Sequence, residues 1–259
     1  MRFLQAPDTG RLDRIDLLRA GAMLWMTVFH FCFDLNHFGL IEQNFYHDPF
    51  WTRQRTAIVS LFLFTAGLSQ AVAWHRQQAW SRFWRRWFQI AGAALLVTAG
   101  SMLMFPRSFI YFGVLHGIAV MLIVVRLTAH WGAWLWLAGA LAMGARSLAA
   151  PLMAVWPEAE ALNTPALNWL GLITRKPVTE DHVPLLPWLG VMWWGMAAGQ
   201  WVLKHRPGWL QASARPAGPV RRTMVTLGRW SLSYYLLHQP VMIGLLLVYL
   251  WLRGFTVGA

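Results

Sequence analysis

Residues 15–35 read IDLLRAGAMLWMTVFHFCFDL, an apolar run long enough to cross a bilayer as a helix. Inside it stand His30 and Asp34, four residues apart and therefore on one helical face. His37, at i+7 from His30, extends that stripe. Ionisable groups at such a depth are costly unless they meet a partner or a cavity, so they mark a candidate functional site. His30 lies 15 residues beyond Ile15, about 22 Å along a helix at 1.5 Å per residue, which places it past the middle of the span.

The rest of the chain has the same character. Of its 259 residues 57% are hydrophobic and only 12% charged, and 18 are tryptophan. The mean hydropathy is +0.42, which argues against a soluble domain. Helices satisfy their own backbone hydrogen bonds in lipid, and the two-residue alternation of a porin is not seen. Apolar runs predict spans at 15–37, 55–74, 84–105, 109–127, 132–149, 185–203 and 225–251. The expected fold is all-α: one polytopic membrane helix bundle of about seven transmembrane helices, a single domain over 1–259. The Pro-rich connection 150–184 has room only for a small cap or a short interfacial helix, and 204–222 reads as a flexible basic linker.

Charge orients the bundle. Fifteen of the 22 Lys and Arg residues fall on the side of the N-terminus, among them Arg2, Arg11, Arg14, Arg19, Arg76, Arg85, Arg86, Arg126, Arg215 and Arg229. The other seven are Arg53, Arg55, Arg107, Arg146, Arg175, Lys176 and Arg253. The positive-inside rule then gives N-in/C-out in the cytoplasmic membrane, and an odd number of spans agrees with termini on opposite sides. The net charge of +12 is accordingly a membrane signal, not a nucleic-acid one. Cys32 is the single cysteine, so no intrachain disulfide forms. The start of the chain lacks the small-residue cleavage site of a secretory signal, and the first span is expected to be retained.

Other polar groups gather near the spans. His47 lies in the loop YHDPFW, where Asp48–Pro49 initiates a turn. Near the C-terminus, in LGRWSLSYYLLHQP (227–240), Tyr234 and His238 are one turn apart, and Pro240 frees a carbonyl of the preceding turn. These groups either glue helices together or line a reaction path. His116 sits between Gly113 and Gly117, whose small-xxx-small spacing permits close helix packing. Asp181 and His182 stand at the outer end of the sixth span. There is no HExxH, cysteine cluster, Walker loop, dinucleotide fingerprint or GxSxG elbow, so no metal site is expected.

At IDLLRAGAMLWMTVFH the chain resembles the first span of the type-three acyltransferases: Asp, then Arg, then an apolar run ending in His. Asp16, Arg19 and His30 fit that spacing, and the resemblance gives His30 the family's catalytic role. Over nearly its whole length the chain is also similar to a bacterial membrane family related to heparan-α-glucosaminide N-acetyltransferase. The matching segments are RIDLLRAGAMLWMTVFHFCFDLNHFG, FLFTAGLS, FGVLHGIAV, DHVPLLPWLG and LGRWSLSYYLLHQP. The lysosomal enzyme of that name moves acetyl from cytosolic acetyl-CoA to a glucosamine across the membrane. Its early catalytic histidine precedes an FxFxxG segment, here Phe62–Gly67, and matches His47 in position. His30 falls where that enzyme has asparagine. The two resemblances thus point to different histidines, and the choice stays open at this level. The chain is shorter than the lysosomal enzyme and lacks its large lumenal domain, so glycosaminoglycan does not carry over as substrate.

These readings predict an integral membrane acyltransferase of the bacterial inner membrane, possessing the option of oligomerisation. Acetyl-CoA or another acyl-CoA is the expected co-substrate, held at Arg19, Arg85, Arg86 and Arg229, because guanidinium forks match phosphate oxygens. His30, oriented by Asp34, is the expected general base or transient acyl carrier, and His47 is expected to assist catalysis from the outer mouth. His37, His116, Asp181, Tyr234 and His238 are expected along the substrate path. The acceptor is expected to be a cell-envelope saccharide or glycolipid, with membrane lipid as the other partner. A proton-coupled transporter and a non-enzymatic membrane subunit are the alternatives that the same intramembrane groups allow.

Overall fold

A computed structural model describes residues 12–210 and 218–254. Arg2, Arg11 and Arg215 of the predicted cytoplasmic set lie outside the described residues. The α-helices are α1 (Asp13–His37), α2 (Pro49–His75), α3 (Trp80–Met104), α4 (Val114–Leu127), α5 (Trp134–Gly144), α6 (Ala149–Val155), α7 (Leu185–His205), α8 (Pro219–Arg229) and α9 (Ser231–Leu252). Among the described residues there is no β-strand, only an isolated bridge between Phe112 and His182.

Five stretches among the described residues are long and apolar enough to cross a membrane: α1, α2, α3, the run Trp134–Val155 that joins α5 to α6, and α9. α4 has only 14 residues. α7 carries four tryptophans, three glycines and Gln200, which lower its hydropathy although it sits at the centre of the bundle. The fifth predicted span, 132–149, is a broken run, α5 followed by a 3-10 turn and α6 to Val155, and three other spans differ from the helices for identifiable reasons. The fourth begins at Val114, not 109, because 105–113 is tied down as a loop: Glu180 N–H donates to the Ser108 carbonyl at 2.9 Å and Val183 N–H to that of Phe112 at 3.1 Å. The second begins six residues earlier than expected, at Pro49, because Asp48 caps it, accepting from Phe50 N–H at 2.7 Å. The seventh is two helices. The chain turns at Trp230, leaving basic α8 against the start of α1 and only α9 as an apolar rod.

Side-chain pairings give the relative directions of the rods. Trp25 bonds Gln54 and Arg19 bonds Ser69, so α1 and α2 are antiparallel. Trp87 bonds the Ala119 carbonyl and Thr98 meets His116, so α3 and α4 are antiparallel. Phe64 faces Gly195 and Ala71 faces Gly199, which makes α2 and α7 parallel. Thr27 meets Tyr234 and Asp34 meets Gln239, so α1 and α9 are parallel although they come from opposite ends of the chain. One end of the bundle therefore carries the basic α8 and the start of α1. The other carries the connections 38–48, 105–113 and 156–184.

The core is built on α2, α4 and α7, where Leu63, Met121, Val125, Met192 and Met196 are fully buried. Lipid offers no hydrophobic drive between helices, so close packing has to hold them together. Small residues permit it: a Cβ on Gly67 would strike the Met192 and Met196 backbone, and one on Gly195 would strike the Phe64 carbonyl. Outward faces are apolar. Leu103 is 86% exposed and Trp251 76%, a pattern that water would penalise and a bilayer accommodates.

Overpacking a close helix contact costs about 1–3 kcal/mol. Gly195→Ala is expected to lower the thermal midpoint of the detergent-purified protein sharply, whereas Gly92→Ala, with open space around it, leaves the midpoint unchanged or slightly raised. Equal midpoints for the two variants would contradict this packing.

Candidate functional site

The seam between α1 and α9 is a ladder of three polar rungs. On α1, Thr27, His30 and Asp34 follow the 3–4 spacing of one helical face. On α9, Tyr234, His238 and Gln239 answer them. Thr27 Oγ1 donates to the Met23 carbonyl at 2.8 Å, so the Tyr234 hydroxyl 2.7 Å away donates to Thr27. Gln239 Nε2 donates to Asp34 Oδ1 at 2.6 Å. The middle rung joins the two histidines, with His30 Nδ1 2.8 Å from His238 Nε2.

The network assigns the protons of that rung. His238 Nδ1 lies 2.7 Å from the Tyr235 carbonyl, which only accepts, so Nδ1 carries the hydrogen. His238 Nε2 then bears the lone pair and accepts from His30 Nδ1–H. His30 Nε2 is left with a free lone pair. The two rings are nearly coplanar, at 14° with centroids 5.1 Å apart, as an end-on hydrogen bond in the ring plane requires. His238 is buried and its other face lies parallel to Tyr234, while His30 is half-buried and packs edge-on to Phe29. His30 Nε2 makes no hydrogen bond among the described residues and keeps accessible surface. An oriented, accessible imidazole lone pair in an apolar wall is what a general base needs.

Asp34 does not hold His30. Its hydrogen bond is to Gln239, and its Oδ2 is buried without a partner, as is Gln239 Oε1. His238 is the group that orients His30, and sequence spacing along α1 could not show it. The remaining predicted residues lie elsewhere. His37 is exposed at the end of α1 against Phe105. His47 is exposed in the following loop, with its backbone N–H on Asn44. His116 caps α4: its Nδ1 accepts from Gly113 N–H at 3.2 Å and its Nε2 donates to Thr98 Oγ1 at 3.1 Å. Both ring nitrogens are thereby engaged. Asp181 Oδ2 accepts from Val114 N–H at 2.7 Å and places a carboxylate at the positive end of α4. Gly113 and Gly117 serve close approach, but by the 181–183 segment and not by a second helix.

At the basic end the predicted arginines form two groups. Arg19 pairs with Asp16 at 2.9 Å and bonds Ser69 Oγ at 2.5 Å. Arg229 lies 4.0 Å from both Asp13 and Asp16, and Arg221 pairs with Asp13 at 3.2 Å. Gly228 allows α8 this proximity, since a Cβ there would strike the Asp16 backbone. Arg85 and Arg86 stand apart on the exposed face of α3, Arg86 bonding Gln89. Sequence reading counted Arg126 only as a topology signal. It is buried, bonds the Gln78 carbonyl and lies over Trp74, Trp80 and Phe83, which anchors α4 to the α2–α3 turn.

A cavity of about 170 Å³ opens at the other end of the bundle. Arg55, Arg146, Lys176, Glu180, Asp181 and His182 are its ionisable lining. Burial, reinforced by Lys176 and Arg146, pushes the His182 imidazole down to about 4, and burial raises the Asp181 carboxyl above its ordinary value.

The catalytic-domain model of heparan-alpha-glucosaminide N-acetyltransferase matches residues 11–240. The chain belongs to that family. Every rung of the α1–α9 ladder, from Thr27 to Gln239, falls within the match. The family name is that of an acetyltransferase, and the five long apolar helices make this member an integral membrane protein. No curated protein and no solved structure matches the chain.

The His182 imidazole stays neutral in the folded protein down to about pH 4, while an unfolded imidazole protonates near 6.5. The unfolded state thus binds more protons in that window, and His182 lowers stability as pH falls through it. Asp181, with its raised value, acts in the opposite sense over the range above an ordinary carboxyl. His182→Asn is expected to flatten the loss of thermal midpoint between pH 6.5 and about 4 relative to wild type. An unchanged slope would contradict the assignment.

Proposed function

We propose that this member of the acetyltransferase family moves an acyl group, acetyl in the first instance, from acyl-CoA to a hydroxyl or amine of a cell-envelope saccharide or glycolipid. The observation that carries this reading is the directed histidine pair. With His238 accepting the Nδ1 hydrogen, His30 Nε2 faces accessible space as a base. It takes the proton from the acceptor O–H or N–H while that oxygen or nitrogen bonds to the thioester carbonyl carbon. The carbonyl then re-forms, the C–S bond breaks, and the His30 imidazolium returns the proton to the departing sulfur, giving free CoA thiol. The Nδ1–H bond to His238 stabilises the imidazolium while it lasts. Asp34 lies one helical turn beyond on the same face, where Gln239 holds it.

Acyl-CoA enters from the basic end in this account, with its phosphates at Arg19 and Arg229, which are both part-exposed. Arg19 is eleven residues before His30, about 16 Å along α1, a distance of the order of an extended pantetheine arm. Asp13 and Asp16 hold these arginines before the substrate arrives, so binding exchanges one set of ion pairs for another. Arg85 and Arg86 on α3 contribute longer-range attraction. The excess of Lys and Arg supports a cytoplasmic location for this end in a bacterial inner membrane, with the acceptor reaching His30 from the opposite side. His47 stands at that outer mouth and assists the acceptor's approach. Residues 1–259 act as one domain, alone or as an oligomer.

Acyl-CoA turnover by purified protein, read as release of CoA thiol with envelope-lipid extract as acceptor, tests the roles. His30→Ala is expected to lose about a hundredfold or more in kcat, within the range of general-base contributions. His47→Ala is expected to lose less than about tenfold, as a residue away from the proton transfer. Full activity in His30→Ala, or a larger loss in His47→Ala, would move the chemistry off the α1–α9 seam. CoA itself should raise the thermal midpoint of wild type, and Arg229→Gln should weaken that response. No response in wild type would remove the donor assignment.

A further inference from the structure

The cavity between the start of α2, the end of α5 and the segment 171–188 is absent from the donor side of this scheme. Its charges are unbalanced in a specific way. Both carboxylates are already satisfied by neutral donors: Glu180 accepts from Ser108 Oγ at 2.6 Å and from the Tyr46 hydroxyl at 3.3 Å, and Asp181 from Val114 N–H. The cations are not satisfied. Among the described residues, Arg55, Arg146 and Lys176 make no hydrogen bond and no ion pair within 4.0 Å; Lys176 Nζ lies 5.2 Å from the Tyr46 ring and feels Glu180 and Asp181 only at longer range. The three are close enough to act on one another's surroundings. Arg55 and Lys176 both act on Asp181, and Lys176 and Arg146 both act on His182. Both His182 ring nitrogens are buried with no well-formed hydrogen bond. Three cations from distant parts of the chain thus line one cavity, against two carboxylates whose hydrogen bonds go elsewhere.

We infer that this cavity binds the anionic group of the acceptor, a phosphate or a carboxylate, through Arg55, Arg146 and Lys176. Two guanidinium forks and an ammonium suit a multidentate oxyanion. The position suits an acceptor of the proposed transfer, on whose correctness this assignment of the ligand rests. Asp181 of the cavity is electrostatically coupled to Tyr235, whose carbonyl fixes the His238 proton. Val59 lines the cavity, and Ile58 beside it packs in the cluster that holds Phe29, next to His30. An anionic group anchored here leaves the remainder of its molecule at the outer mouth of the histidine pair. Such a pocket selects acidic acceptors over neutral ones.

Binding needs no acyl transfer, so it is tested without donor. The full-length detergent-purified protein is titrated with glucose 1-phosphate, glucuronate, methyl glucoside and short-chain phosphatidic acid, and its thermal midpoint is followed. At least one anionic probe is expected to raise the midpoint by about 3 °C near saturation, and methyl glucoside to leave it unchanged. Response to the soluble anions assigns the group to a sugar acid or sugar phosphate, and response to phosphatidic acid alone assigns it to a lipid headgroup. Both outcomes support the pocket. Lys176→Gln and Arg146→Gln alter exposed side chains and should fold. Each is expected to weaken the titration midpoint at least fivefold, and Arg222→Gln at the opposite end to leave it unaltered. No response to any anion, or the same response in the cavity variants as in wild type, would overturn the inference. If anions bind while donor turnover is absent, the transfer reading fails and the anion pocket stands.

Discussion

One hydrogen bond, from His30 Nδ1 to His238 Nε2, makes the two ends of this chain into a single site. It exists only because α1 and α9 lie side by side and parallel. That arrangement is held on one side by Asp13 and Asp16, which keep α8 and its arginines at the start of α1. On the other side the Asp34–Gln239 rung closes the seam. In an apolar surrounding each polar group has to be answered by a neighbour, so the register between the helices is fixed by the rungs. A slip of one residue would leave both imidazoles unanswered. The bond also decides chemistry: the Tyr235 carbonyl sets the tautomer of His238, and His238 sets that of His30.

The remainder of the bundle supports that seam without taking part in it. α2 and α7 pack backbone to backbone at Gly67, Gly195 and Gly199, and α4 fills the space behind them. The loop segment 179–183 is bonded to 108–114 by backbone and side-chain contacts, which fixes the connections at that end of the bundle. His116, an attractive reactive candidate by its depth, belongs to this scaffold. Its two nitrogens are used by Gly113 and Thr98, and it presents no free lone pair.

Much of the fold was legible in the sequence because it depends on local signals. Apolar runs placed α1 and α3 to within about four residues and found the apolar centres of α2 and α9. The membrane class followed from them, and the family match agrees with the resemblance seen in the motifs. The errors have physical causes. Val225 and Leu227 are apolar enough to read as the beginning of a span, yet the chain turns at Trp230 without proline or glycine at that position. Residues 109–113 are aromatic and apolar but are held extended by the 179–183 segment. The polar stripe of α1 was legible from its spacing, and so was the Tyr234–His238 stripe of α9. Their pairing was not, because helical periodicity gives the face of a helix but not the helix opposite it. The cavity cations, at 55, 146 and 176, carry no common motif and meet only through tertiary structure.

The central claim is that His238 acts on the reaction through His30 and not independently of it. A double-mutant cycle on the rate of acyl transfer tests it most directly, with His30→Gln, His238→Gln and the double variant measured under saturating acyl-CoA. If His238 works only by holding the His30 tautomer, the double variant will be no slower than His30→Gln alone. If the two losses multiply, the histidines act separately, and the hydrogen bond between them is not the device on which the site depends.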